Sequence, residues 1–154
     1  MKDSKVAVEH LLYLYAERVD RGDFEGVAEL LAHALITTPM FPQGIQGKPL
    51  ILRMYEQSTR RYEDGSPKTK HVITNAIIDV YEDRGRATAR SYYTVFQALP
   101  DFPLQAIIAG TYQDKFQRRD GLWNFVARHI TVDLIGDLSH HLLIALPELD
   151  IAKI

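Results

Sequence analysis

The sequence predicts an α+β domain in which helices come first and a strongly curved antiparallel sheet then wraps around them. Three observations predict it. Helical spacing of apolar residues is confined to the part before Asp64, whereas Val, Ile, Thr, Tyr and Phe dominate after Lys68, and turn signals cut that second part into strands. In the first part, Val8, Leu12, Tyr15 and Val19 recur at i, i+4, i+7 and i+11, which places them on one stripe of a helix from Ser4 to Asp20. Gly22 suits its C-terminal cap. Asp23 then reads as the N-cap of a second helix over "FEGVAELLAHA", with Phe24, Val27, Leu30 and Leu31 on its apolar face. "LITTPMFPQGIQG" reads as a short strand running into a loop rich in Pro and Gly. A third helix, with Pro49 in its first turn, fits residues Pro49 to Tyr62.

Four long antiparallel strands follow. "HVITNAIIDVYE" turns at "DRG" into "RATARSYYTVFQAL", which breaks at "PDFP" before "LQAIIAGTYQDKFQRR", and Asp120-Gly121 turns that strand into "LWNFVARHITVDLIG". Strict alternation puts Gly110, Tyr112, Asp114 and Phe116 on one face of the third strand. In the fourth it sets Trp123, Phe125, Ala127 and His129 against Asn124, Val126 and Arg128. Sheet and helices in this arrangement tend to leave a pocket between them.

A chain of 154 residues fits one domain with a sizeable core, spanning residues 1–154. The formal charge of -2, with basic residues scattered among acids, offers nothing to neutralise a phosphate backbone, so no nucleic-acid partner is expected. There is no cysteine, which removes disulfides, thiolate metal sites and cysteine nucleophiles. The N-terminal twenty residues carry charges throughout, unlike a signal peptide, and no run approaches a membrane span. A cytoplasmic protein without a membrane partner is the expectation. G-x-S-x-G, P-loop and G-x-G-x-x-G motifs are absent, so triad hydrolysis and nucleotide binding have no signal.

Two stretches carry a family resemblance. Gly110 to Leu142 resembles the closing hairpin and tail of the SnoaL-like branch of the nuclear transport factor 2-like superfamily. Its pattern G-x-Y-x-D-x-x-x-R-x-D-G-x-W-x-F-x-x-R is filled at every named position. Tyr15 to Ala34 resembles the opening of that family, in which one helix ends at an aspartate and a second begins near "GD". The resemblance implies a cone-shaped α+β barrel, and the order of elements read above agrees with it. Asp20, and His71 within "KTKHVITN", stand where scytalone dehydratases and hexachlorocyclohexane dehydrochlorinases carry a catalytic aspartate and histidine. Val19 departs from the former, which has a tyrosine immediately before its aspartate. The implied activity is a cofactor-independent lyase, of dehydratase or dehydrohalogenase type, or an isomerase, acting on a small cyclic or aromatic substrate. The resemblance implies as an alternative a ligand-binding protein, or a small subunit like the β subunit of ring-hydroxylating dioxygenases. A homo-oligomer, dimer or trimer, is implied either way.

The residues are compatible with that chemistry and with plainer roles. Elimination beside an acidic C–H needs a base that titrates near the working pH, and a carboxylate that holds a histidine fixes its tautomer and stabilises the imidazolium. Asp20 sits at the negative end of a helix dipole, where ionisation is disfavoured by about 0.3–1 kcal/mol and an imidazolium would compensate. It also reads as a solvated turn residue in "DRGD", and His71 as an ordinary strand histidine. The two alternating faces around His71 (Ile73, Asn75, Ile77 and Asp79 against Thr74, Ala76, Ile78 and Val80) are about equally apolar, so alternation does not orient it. Tyr15, Tyr55, Tyr92 and Tyr93 are candidates for a hydroxyl that polarises a substrate carbonyl. Tyr15 also fits the core, and only one of Tyr92 and Tyr93 can face inward. One of Arg128 and His129 faces the pocket, and an arginine there binds a carboxylate or phenolate unless it is a surface ion pair. His129, His140 and His141 lack the spacing of a metal site, so neither metal nor cofactor is expected.

Overall fold

The computed structural model describes residues 3–146. Helix α1 (Ser4–Asp20) covers the predicted residues, and the Asp3 carboxylate caps it by accepting from the Lys5 backbone N–H. Its stripe of Val8, Leu12, Tyr15 and Val19 is buried. Beyond α1, Gly22 adopts φ 73°, and a Cβ there would lie 1.9 Å from the Gly65 carbonyl oxygen, so conformation and space both require glycine. The Asp23 side chain caps α2 (Phe24–Leu30) through the Gly26 N–H. This helix is shorter than its periodicity predicts, because the chain turns after Leu30 with Leu31 and Ala34 buried and so enters the sheet. Helix α3 (Lys48–Ser58) carries Pro49 in its first turn. It stops before Tyr62 because Thr59 is already extended and bridges to Leu142.

Where the sequence suggests one short strand and a loop, the chain forms a hairpin of β1 (Leu35–Thr38) and β2 (Phe41–Gln46). Pro42 and Gly44 are tolerated there because β2 is an edge strand. The long strands are β3 (Thr69–Tyr81), β4 (Arg86–Leu99), β5 (Phe102–Arg119) and β6 (Leu122–Ile135). Asp120 and Gly121 both take positive φ, 50° and 78°, as a two-residue hairpin turn requires. The sheet order is β2-β1-β6-β5-β4-β3, and β1 runs parallel to β6. The sheet is therefore mixed and remains open, with β2 and β3 at its edges. Its inner face packs against the helices around Leu12, Tyr15, Phe24, Ile51, Tyr112 and Phe125.

Two bulges correct the predicted alternation. In β3 the register shifts between Thr74 and Ile77, with Asn75 at φ 40°. The His71 face accordingly continues through Ile73, Ala76, Ile78 and Val80, which pack on the core, and not through Asn75, Ile77 and Asp79. In β6 the shift opposite Lys115 and Phe116 makes Trp123, Phe125 and Arg128 the buried set, and His129 is exposed. No described helix is long and apolar enough to cross a membrane.

Candidate functional site

Asp20 is the last residue of α1 and His71 the third of β3, and the packing of that helix on this edge strand brings them together. The His71 Nδ1 lies 2.6 Å from Asp20 Oδ1. The other carboxylate oxygen accepts from the His71 backbone N–H at 2.8 Å, and the Thr69 hydroxyl donates to Oδ1 at 2.9 Å. Three donors thus converge on one carboxylate. Because a carboxylate only accepts, the Nδ1 contact fixes the proton on Nδ1 and leaves Nε2 with the free lone pair. Both side chains are largely withdrawn from water, at 8% and 9% exposure. A groove of about 350 Å³ reaches them between α1 and β3, lined also by Tyr13, Ala16, Glu17, Lys70 and Ile73. It is open with a charged rim, unlike the closed apolar pocket that proton abstraction favours.

The structure adds two residues that the sequence did not place at this site. Thr69, two positions before His71 on the same face, was accessible in principle from alternation. His141 was not: it lies beyond β6, yet it is buried at 7% exposure. Burial, and then the nearby His71, hold its pKa down at about 4, while Asp20 acts in the opposite sense. Its Nδ1 has no hydrogen-bond partner among the described residues.

The remaining candidates are placed elsewhere. Arg128 does not line the groove. It is fully buried, and its Nε and Nη2 each donate to Asp114 at 2.8 Å in a two-pronged pair. Its guanidinium lies 3.9 Å from the Tyr112 ring centre and 4.2 Å from that of Tyr15. Tyr15 and Tyr55 are core residues whose hydroxyls bond each other at 2.6 Å, and burial raises the Tyr55 phenol well above its ordinary pKa. Tyr93 faces inward, stacks on Tyr112 with centroids 4.4 Å apart and donates to the Thr131 carbonyl at 2.8 Å. Its cross-strand partner Gly110 makes the room, since a Cβ there would approach the Tyr93 hydroxyl to 2.6 Å. Tyr92 faces out and is 56% exposed, so the inward one of the two is Tyr93. His129 bonds Thr37 on the exposed side, and His140 packs on Phe102. Among the described residues no three His, Asp or Glu side chains converge to hold a metal ion.

The sequence profile of the SnoaL-like domain matches residues 3–129. No curated protein matches the chain. Among solved structures, a protein of unknown function with a cystatin-like fold from Nostoc punctiforme superposes with a TM-score of 0.70 at 20% identity, over 90% of this chain and 97% of the other. A candidate scytalone dehydratase from Novosphingobium aromaticivorans gives a TM-score of 0.66 at 22% identity, over 86% and 85%. The β subunit of a candidate aromatic-ring-hydroxylating dioxygenase from the same organism gives 0.68 at 18% identity, over 94% and 96%. At these identities the likeness is one of fold.

Proposed function

The chain belongs to the SnoaL-like domain family, and from the geometry of its histidine–aspartate pair we propose a cofactor-independent lyase, of dehydratase or dehydrohalogenase type, or an isomerase. Its substrate is a small cyclic or aromatic compound bearing a hydroxyl or carbonyl. The single observation that carries this reading is the 2.6 Å contact between His71 Nδ1 and Asp20, which presents Nε2 as a base. In the proposed reaction Nε2 takes a proton from carbon. The C–H electron pair forms a double bond and expels hydroxide or halide in the lyase, or is held as an enolate and reprotonated at another carbon in the isomerase. Asp20 is a positioning residue: it fixes the tautomer and faces the imidazolium as it forms. The hydroxyls of Tyr15, Tyr55 and Tyr93 are engaged within the protein, and that of the groove's own Tyr13 donates to the Glu9 carboxylate at 2.7 Å, so a tyrosine can assist only by exchanging its present partner for the substrate.

An assay independent of the natural substrate follows hydrogen–deuterium exchange next to the carbonyl of 2-tetralone and cyclohexanone by proton NMR. Exchange above the buffer rate is expected, and His71→Gln should lower it by about 10²–10⁴-fold. An unchanged rate in that variant removes His71 from the mechanism.

A second reading is a non-catalytic ligand binder or assembly subunit. It is favoured by apolar side chains that stand exposed, among them Leu104, Tyr92 and Leu134 at 72%, 56% and 70%. On either reading a homo-oligomer, dimer or trimer, is expected, and light scattering at several concentrations tests it.

A further inference from the structure

We propose that His141, brought in by the segment after β6, completes the Asp20–His71 site by hydrogen bonding an uncharged oxygen of the substrate; the inference rests on the reading of that site given above. Buried polar atoms in folded proteins nearly always have partners, so one left over beside a histidine–aspartate pair marks a place for a ligand atom or a water. His141 Nδ1 is such an atom.

The backbone that carries the ring is held in place from several sides. The Arg60 N–H donates to the His141 carbonyl at 2.8 Å and the Leu143 N–H to Ser58 at 2.9 Å, while Leu142 bridges to Thr59. One residue earlier, the His140 carbonyl accepts from Gln97 Nε2 at 3.2 Å and from the Tyr62 hydroxyl. Gln97 is the cross-strand partner of Thr69, whose hydroxyl donates to Asp20. The segment is thereby fixed one strand pair away from the carboxylate that orients His71. Through Gln97 and Thr69 the His141 segment and the Asp20–His71 pair are thus neighbours in the fold.

That proximity defines a division of labour. When His71 Nε2 accepts a proton, a second charged imidazole beside it would oppose the transfer. His141 is neutral in its burial and does not. A neutral ring offers hydrogen bonds but no charge, so the favoured ligand oxygen is a hydroxyl or a carbonyl, and a carboxylate finds no counter-ion in it. The site would hold the oxygen-bearing part of a small ring compound at His141 while its C–H faces His71.

The test uses the full chain with ¹⁵N-labelled histidines, titrated with phenol at neutral pH, in the wild type and in His141→Phe, His141→Asn and His71→Gln. Asn places an amide where Nδ1 stands. Phenol is expected to shift the His141 Nδ1 and His71 Nε2 resonances together. Binding should weaken about tenfold in His141→Phe and stay within about threefold in His141→Asn, the loss expected for one neutral hydrogen bond. Cyclohexanecarboxylate should leave His141 unmoved. If phenol shifts His71 but not His141, and His141→Phe binds as the wild type does, the inference is overturned while the reading of His71 stands. A response at neither ring overturns both. Should His141→Phe fail to fold, the wild-type resonances and His141→Asn decide.

Discussion

Among the described residues two pairs of opposite charge type are buried, Asp114–Arg128 and Asp20–His71, and they differ in every respect that matters for chemistry. Asp114 and Arg128 face each other across β5 and β6 with both side chains fully sealed, both carboxylate oxygens used and aromatic rings stacked over the guanidinium. Asp20 and His71 meet at a helix end and a sheet edge, and a groove reaches them. A guanidinium does not release its proton in a protein, so the first pair is a permanent fork. An imidazole does, and its second nitrogen is left free by the first contact. The interior pair is thus equipped to hold β5 and β6 together and the edge pair to exchange protons.

Cutting the interior pair should have the largest effect. Asp114→Ala leaves a buried guanidinium without its counter-charge and is expected to cost about 3–5 kcal/mol, read from urea or thermal unfolding. The double replacement Asp114→Leu with Arg128→Met should regain most of that loss, because removing both charges removes the burden of burying them. If the double variant is as unstable as the single one, the pair has a role beyond mutual neutralisation.

Acid should act next, and on the edge pair's neighbour. The folded state holds His141 at a pKa of about 4 against 6.5 for the free side chain. Between those values the unfolded chain binds a proton that the folded chain does not. The His141 contribution is therefore fully present above pH 6.5, is lost as pH falls to about 4 and is then constant, a change of about 3 kcal/mol. Since other groups titrate in the same range, the readout is the difference between wild type and His141→Asn in urea unfolding at both ends of the window. Parallel pH profiles would contradict a buried neutral His141.

The two pairs also differed in how far they could be read in advance. Asp20 was conspicuous because a carboxylate is awkward at a helix C-terminus, and the resemblance supplied His71 as its partner. For Arg128 the strict alternation Trp123, Phe125, Ala127, His129 pointed the wrong way, since one bulge in β6 exchanges the faces between Phe125 and Arg128. The bulge at Asn75 did the same to the strand of His71. A single inserted residue leaves composition unchanged, so nothing in a period-two pattern announces it. α1 was legible to the residue because its caps and its stripe are local. The parallel pairing of β1 with β6 joins segments some ninety positions apart and has no local signature. His141 was considered only as a metal ligand and set aside for its spacing, because the contacts that hold its segment, to the end of α3 and to Gln97, come from parts of the chain far from it in sequence.

Replacing the carboxylate of the edge pair tests what it does for His71. In Asp20→Asn one oxygen becomes an N–H₂ group. If the remaining oxygen continues to accept from the His71 backbone N–H, the amide faces the ring and the histidine must carry its proton on Nε2 instead. The loss of stability should be about 1–2 kcal/mol, smaller than for Asp114→Ala, because water can reach this site and the helix end is relieved of a like charge. Imidazole ¹⁵N shifts should move from the Nδ1–H to the Nε2–H pattern. An unchanged tautomer would mean that Asp20 does not set it.

The smallest effect separates the interior pair from its aromatic surroundings. Tyr55→Phe keeps the ring and deletes the hydroxyl that bonds Tyr15 at 2.6 Å. Tyr15 retains its ring beside Arg128, so the cation–π contact survives and only one buried hydroxyl loses its partner. A cost of about 1 kcal/mol is expected, with the pH profile of stability and the His71 tautomer unchanged. Were the cost to approach that of Asp114→Ala, the two tyrosine hydroxyls would have to be counted with the ion pair as one polar network. A cost near zero would mean that the Tyr15 hydroxyl finds another acceptor, and the interior pair would then stand on its fork and its rings alone.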